Sequence, residues 1–264
     1  MKISMIGYGS MGKALCQGLL KNPHYHLHVA APSLMAGQLQ PNLRTSSDNL
    51  ALLQNTDVLI LAVKPAQMAD VLAKIHAHLP AKLPIISIAA GLDMSWYAKR
   101  LPQHTPVVRA IPNLAAACQQ SATPLLANTW VTTSQHALAT DLFLQCGQIT
   151  WTEHEKDLDT ITALAGSGLA YLFAFTQAMS EGAIALGLSS ETANRFAIQT
   201  LAGAASLATL SEHSLLELQQ QVTSKAGTTA AALDVFAQYQ LSNIVLTAMR
   251  AAVARSQTLR SEES

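Results

Sequence analysis

The sequence predicts an α/β protein in two parts: a doubly wound parallel sheet over residues 1–152, then an all-helical domain over residues 153–264. Three observations carry this. The first half alternates short apolar runs of strand length with segments of helical length. One of those runs passes directly into a G-x-G-x-x-G turn that opens a helix, the arrangement of a Rossmann-type nucleotide-binding domain. Beyond residue 153 no strand pattern remains, and Ala-, Leu- and Gln-rich segments follow one another.

Taken in order, Ile3, Met5 and Ile6 form a first strand, Gly7-Tyr8-Gly9-Ser10-Met11-Gly12 the turn, and Lys13 to Leu20 a helix. Gly7 permits the tight turn, Gly9 lets backbone approach a pyrophosphate, and Gly12 allows helix to pack closely on strand. The helix start offers free N–H groups to the anion. All six residues are therefore candidate cofactor contacts.

A second strand ends near Val29-Ala30-Ala31. NAD-binding domains place Asp or Glu there, about 20 residues beyond the glycines, on the ribose 2′-hydroxyl. This chain has Ala30-Ala31-Pro32-Ser33 and no carboxylate until Asp48. A carboxylate repels a 2′-phosphate, whereas a serine hydroxyl donates to one. NADPH is thus the expected cofactor, with NADH a weaker alternative. Ser33 also reads as an ordinary turn residue after proline, and Arg44 reaches the site only if its loop folds back.

Val58 to Val63 is an unbroken apolar run, as a parallel strand buried on both faces requires. Lys64-Pro65 stops it, and Ala66 to His78 reads as a helix. Ile85 to Ile88 and Thr105 to Arg109 are further strands, ended by Ala89-Ala90-Gly91 and Ile111-Pro112-Asn113. Ser134 to Cys146 is helical, and Gln148 to Trp151 closes the sheet. In the helical half, breaks fall at Gly166-Ser167-Gly168, Gly187 to Ser190, Ser211-Glu212-His213 and Lys225-Ala226-Gly227. Ser190 before Glu191 is the expected N-cap of a long helix.

Half of the 264 residues are hydrophobic and only 12% are charged, more apolar surface than a monomer of this size needs. That composition points to an obligate oligomer. Sixteen basic and sixteen acidic side chains cancel, and no basic run occurs, which argues against nucleic acid or an anionic membrane surface. Residues 160–180 carry no charge, but glycines, threonines and flanks poor in Lys and Arg favour a helix buried in a dimer over a membrane span. Three scattered cysteines indicate neither a disulfide framework nor a zinc site. The opening strand leaves no room for a signal peptide, so a cytoplasmic protein is expected.

Seven motifs occur in order: Gly7-x-Gly9-x-Met11-Gly12, Leu61-Ala62-Val63-Lys64-Pro65, Ser87-Ile88-Ala89-Ala90-Gly91, Arg109-Ala110-Ile111-Pro112-Asn113, Thr162 to Tyr171, Gln199-Thr200-x-x-Gly203-Ala204-Ala205 and Val222 to Thr229. The set resembles the pyrroline-5-carboxylate reductase family, which catalyses the last step of proline synthesis. The resemblance implies NADPH-dependent hydride transfer to a cyclic imine, the imino acid 1-pyrroline-5-carboxylate. It implies that Asn49 lies near the adenosine phosphate with Ser33, that Val63, Lys64 and Pro65 run along the cofactor, and that Asn113 lies on the nicotinamide side. It also implies that Ser224, Gly227, Thr228 and Thr229 hold the substrate carboxylate, with Ser224 and Thr229 as the catalytic pair and the Thr229 hydroxyl near the ring nitrogen. A homodimer through interleaved C-terminal helices is implied too, in some members assembled further.

The chain departs from the family where Leu114-Ala115 follow Asn113 in place of Thr-Pro, where Leu169 replaces a proline, and where Lys225-Ala226 replace Pro-Gly. If residue 226 has positive φ, alanine costs on the order of 1 kcal/mol there. The same loop also reads as a helix N-cap by Thr228 or Thr229, and a capped helix start is itself an anion site.

An alcohol dehydrogenase of the β-hydroxyacid type is disfavoured, because the helix Leu169 to Ser180 has no lysine to move the alcohol proton. A reductase of another cyclic imine and a catalytically weak NADPH-binding regulator remain as alternatives. One methylene discriminates by only about 1–3 kcal/mol. His24, His26 and His28 alternate along the second strand and read as a solvated face rather than a metal site. Asp157 and Asp159 read as a solvated helix turn. Arg109 reads equally as an anion ligand and as half of an ion pair.

Overall fold

The computed structural model describes residues 1–262. The first half builds β1 (Lys2–Ile6), α1 (Ser10–Leu19), β2 (His26–Ala30), β3 (Gly37–Gln40), β4 (Leu43–Ser46), β5 (Val58–Leu61), α2 (Pro65–Ile75), β6 (Ile85–Ser87), α3 (Met94–Ala98), β7 (Val107–Ala110), β8 (Ser121–Ala127), α4 (Thr133–Leu144) and β9 (Gly147–Trp151). Helices then run on: α5 (Glu155–Ile161), a π-helical turn (Thr162–Gly166), α6 (Gly168–Ala185), α7 (Ser190–Leu210), α8 (Leu215–Gln221), α9 (Thr228–Gln238) and α10 (Leu241–Glu262).

The nine strands form one sheet in the order β3-β4-β2-β1-β5-β6-β7-β8-β9. From β4 to β7 every neighbour is parallel, and the order reverses at β1/β5. This is the doubly wound topology expected from the alternation. Period-two burial sorts the side chains to both faces. Val58 and Ile60 join Ile3, Met5, Leu15 and Phe143 in one core, while Leu59 and Leu61 join Ile6, Met68, Leu72 and Tyr97 in the other.

Three strands escape a reading by apolar pattern; β4, Leu-Arg-Thr-Ser, carries one apolar residue and is set by its pairing with β2 and β3. β3 is exposed throughout, Gly-Gln-Leu-Gln, and pairs antiparallel with β4, so no apolar face betrays it. β8 carries Pro124, which argues against an interior strand from sequence, yet it runs antiparallel to β7 and parallel to β9. The sheet is therefore mixed at β3 and β8 rather than wholly parallel. Two further expectations are corrected, and one open alternative, at Arg109, is decided. Ser189, not Ser190, caps α7, its hydroxyl accepting from the Thr192 N–H. Asp159 is buried, its carboxylate accepting from Ser256 Oγ (2.9 Å) and paired with Arg260. Arg109 is half of an ion pair with Glu155.

The chain divides into two compact units: residues 1–166 with 251–264, and residues 167–250. Within the helical unit α6 packs on α7 through small residues, Ala193, Ala197, Thr176 and Ser180, with Ser180 Oγ donating to Asn194 Oδ1 at 2.8 Å. The large side chains point the other way. Phe173 is 63% exposed, Ile198 64% and Leu210 85%.

Candidate active site

Parallel strands bring loops distant in sequence to one edge. β4, β2, β1, β5 and β7 all end at the same carboxyl side of the sheet. There the glycine turn (7–12), the turn with Ser33, the segment with Asn49, the Val63-Lys64-Pro65 loop and Asn113 emerge. The reversal of strand order at β1/β5 makes that edge the crevice in which doubly wound sheets bind ligands.

The glycines have separable tasks. Gly7 has φ +105°, and a Cβ there would lie 2.4 Å from the Ala62 carbonyl oxygen and 2.8 Å from the Val63 amide. The loop after β5 thus passes directly over the turn. A Cβ on Gly12 would lie 2.7 Å from the Gly7 carbonyl oxygen and 3.3 Å from Met5 Sδ, so its absence sets the approach of α1 to β1. Gly9 is different: it is the N-cap of α1, with φ −75°, and a Cβ there meets nothing within 4 Å. The first N–H groups of α1, at Ser10, Met11 and Gly12, have no intrahelical acceptors and open onto that space. Tyr8 is half-buried with Lys13 Nζ 5.6 Å from its ring centre, and Ser10 is exposed. A bare glycine, open space and unpaired N–H groups fit a pyrophosphate.

Ser33 is exposed and Asn49 half-buried, on loops leaving adjacent strands whose ends are in register, Ala30 opposite Ser46. Among the described residues neither side chain has a hydrogen-bond partner. Arg44 does not fold back to them. It sits on β4 opposite His28, lining a cavity of about 580 Å³ with Lys2, Ser4, His26 and His28 toward the amino-terminal halves of the strands. Burial, together with the Arg44 guanidinium, lowers the His28 pKa. Among the described residues no cluster of His, Cys, Asp or Glu suits a metal ion.

Lys64 is exposed at the N-cap of α2, with Pro65 at the first helical position. Asn113 is buried and fully engaged. Its Oδ1 accepts from the Ala115 N–H (3.0 Å), its Nδ2 donates to the Ala165 carbonyl (3.1 Å), and its own N–H donates to Ser121 Oγ (3.0 Å). A residue expected beside the nicotinamide is thereby held rigidly to the π-helical turn.

In the helical unit the loop 224–229 forms a tight turn, the Gly227 N–H donating to the Ser224 carbonyl at 3.0 Å. Ala226 occupies the left-handed region, φ +59°, where the resemblance places glycine. A Cβ on Gly227 would lie 2.2 Å from Ser224 Oγ, so glycine there seats the serine hydroxyl over the helix start. Gly227 itself, not Thr228 or Thr229, is the N-cap of α9, and no side chain caps the helix. Three N–H groups of its first turn, 228–230, have no intrahelical acceptor. Among the described residues the hydroxyls of Ser224, Thr228 and Thr229 find no hydrogen-bond partner. Six donors thus surround one helix N-terminus, an arrangement that receives a carboxylate. In the same unit the Tyr171 hydroxyl is buried without a partner among the described residues.

Sequence reasoning missed the group around Arg109. Glu155, Asp159, Ser256 and Arg260 gather there from both ends of the second half. The available signal was an arginine inside the apolar run Val107-Val108-Arg109-Ala110 of a chain so poor in charge.

Fold and sites together define a class: a doubly wound α/β protein of the nucleotide-binding type with an appended helical domain that has a donor-rich helix start. Residues 155–259 match the model for pyrroline-5-carboxylate reductase dimerisation, and residues 2–91 match NADP oxidoreductase, coenzyme F420-dependent. A pyrroline-5-carboxylate reductase of Vibrio alginolyticus is 37% identical over 98% of this chain and 97% of its own. One from Pseudomonas aeruginosa is 36% identical over 98% and 96%. A solved pyrroline-5-carboxylate reductase of Coxiella burnetii superposes with a TM-score of 0.88 at 34% identity, covering 97% of both chains. The Plasmodium falciparum enzyme, solved with NADP bound, gives 0.88 at 26% identity over 98% of each. The chain belongs to the pyrroline-5-carboxylate reductase family.

Proposed function

We propose that this protein reduces 1-pyrroline-5-carboxylate to L-proline with NADPH, as a homodimer in the cytoplasm, with NADH a weaker donor. The observation that carries the reading is the 224–229 loop, where three uncommitted hydroxyls and three free amides surround a helix N-terminus. The Ser224 hydroxyl and the Thr228 and Thr229 amides clamp the substrate carboxylate, while the Gly227 N–H, donating to the Ser224 carbonyl, closes the turn beneath it. Thr229 donates its hydroxyl to the ring nitrogen as that atom gains its lone pair. Bound NADPH supplies the hydride. The imine, protonated from solvent, is already electrophilic, so no strong protein acid is needed and catalysis is mainly positioning. The glycine turn, Val63-Lys64-Pro65, Ser33 and Asn49 hold the cofactor, the last two at the 2′-phosphate. Asn113 borders the nicotinamide.

The dimer reading rests on the helical unit's bare apolar side chains, Phe173, Ile198 and Leu210 among them, far more than an isolated unit leaves in water. Residues Glu155–Ala185 are long and apolar enough to cross a membrane. They lie inside the segment matched to dimerisation, and a second copy covers them better than lipid. Phe173→Asp with Ile198→Asp is expected to convert the dimer to monomer in light scattering; dimers that persist would place the interface elsewhere.

The test of function follows NADPH oxidation with 1-pyrroline-5-carboxylate and its six-membered homologue side by side. Turnover on the five-membered ring that falls about 100-fold in Thr229→Ala supports the assignment. Preference for the larger ring would mean that Lys225-Ala226 has reset the pocket. Binding of NADPH without turnover of either imine would leave a cofactor-binding relative without this activity.

A further inference from the structure

The carboxyl end of β7 is secured by a charge network that reaches it from the last turns of the chain. Arg109, 3% exposed, pairs through Nη1 with Glu155 Oε2. The other carboxylate oxygen, Oε1, accepts from the Met94 N–H at 2.9 Å, the first residue of α3. Arg260, near the end of α10, lies 4.0 Å from the same Oε2 and pairs with Asp159, which also accepts from Ser256 Oγ. One turn of α10 also presses on the loop after β6. A Cβ on Gly91, φ +80°, would lie 3.1 Å from Leu259 Cβ. Ile111, Leu126 and Leu158 pack beside the network, with Met94 against them.

This is more than a surface ion pair. Both Arg109 and Asp159 are buried, so each needs its partners, and removing one strands a charge. What the network holds is also specific. Arg109 precedes Asn113 by four residues, with Ala110-Ile111-Pro112 between them, and Ser87 at the end of β6 is the register neighbour of Arg109. The loops after β6 and β7 are those on the nicotinamide half of the carboxyl edge. The adenosine half, after β2 and β4, is separated from β6 and β7 by β1 and β5 in the sheet order.

We propose that Glu155 is a positioning residue for hydride transfer: gripped by Arg109 and Arg260, it sets the loops after β6 and β7, and with them Asn113, so that the last turns of α10 control the nicotinamide end of the site. This rests on the reductase reading above. Glu155 touches neither cofactor nor substrate in this role. It acts through backbone, and its removal loosens the hydride donor's seat while leaving the adenosine grip and the 224–229 pocket intact.

The experiment compares Glu155→Gln, Arg260→Ala and Arg260→Lys with the wild-type protein, with turnover expressed per bound NADPH so that unfolded molecules do not count. Arg260→Ala, at a partly exposed site, is the variant expected to fold with least disturbance. In Glu155→Gln and Arg260→Ala, kcat is expected to fall about 10- to 100-fold, the scale of a misplaced reacting group. KM for the imine is expected to stay within about threefold, and Arg260→Lys to recover most of the loss by restoring the charge. The emission of bound NADPH, which needs no turnover, is expected to shift in the two damaging variants. Variants that bind NADPH with unchanged emission and turn over within about twofold of wild type per site overturn the proposal. So does a loss that vanishes once turnover is counted per bound NADPH, because the variants then only fold less well. A wild-type protein inactive on the imine refutes the reductase reading instead, and the emission measurement still decides the role of Glu155.

Discussion

Substituting Gly9 by alanine separates binding from folding more cleanly than any other change in the nucleotide turn. Gly7 and Gly12 cannot accept a Cβ without displacing backbone, since the added atom would sit 2.4 Å and 2.7 Å from carbonyl oxygens. Their replacement damages the fold and the site together. At Gly9 the new methyl meets nothing within 4 Å, and φ of −75° is ordinary for alanine. The fold therefore changes by less than about 1 kcal/mol, the difference between glycine and alanine at an N-cap being offset in part by glycine's greater entropy loss. The methyl does project where the pyrophosphate approaches the α1 amides. Overpacking of that kind costs about 1–3 kcal/mol, which converts to roughly 5- to 150-fold in Kd. Differential scanning calorimetry without ligand should then show an unchanged transition. Titration of NADPH fluorescence should show the weakened affinity. Gly12→Ala should lower both. A Gly9→Ala protein that binds NADPH as tightly as wild type would mean that the phosphates do not pass over the α1 N-terminus.

Other consequences follow from particular side chains. Burial pushes the thiols of Cys16 and Cys146 up to about 12, with a further push on Cys16 from Cys146, whereas Cys118 is exposed. At pH 8 both buried groups are neutral thiols, so mass spectrometry after alkylation should find one label in the native protein, at Cys118, and three after unfolding; rapid labelling of all three in native protein would refute the burial argument. Ala226→Gly relieves a left-handed alanine, a gain of about 1–2 kcal/mol offset by about 0.4–1 kcal/mol of chain entropy. Amide exchange in the 224–229 loop should slow by a few-fold, and KM for the imine should fall or stay constant; a faster-exchanging loop would show that alanine is not strained there.

Much of the architecture was legible because local rules and global fold agree. The continuous apolar run at Val58 to Val63, the glycine turn after β1 and the helical lengths beyond residue 153 each report directly on burial or backbone geometry. The absence of a carboxylate after β2 is legible too, since it concerns one position at a known distance from the glycines. Where reading failed, the deciding contacts were long-range. β3 has no apolar face and β8 contains a proline, so only their partners make them strands. Ser190 and Ser189 are equally good caps in sequence, and the path of the chain into α7 selects the second.

The charged residues show the same division. Asp157 and Asp159 are alike as sequence neighbours, but α5 turns only one of them inward, where Ser256 and Arg260 arrive from about a hundred residues away. No local pattern encodes that meeting. The dinucleotide turn, the strand–helix alternation and the hydroxyl-rich 224–229 segment follow from steric and hydrogen-bonding rules acting within a few residues, and so they can be read from the chain alone. The Arg109–Glu155–Arg260–Asp159 network exists only once distant segments are packed. Burying a charge is tolerable only with its partner in place, and that partner is supplied by tertiary structure.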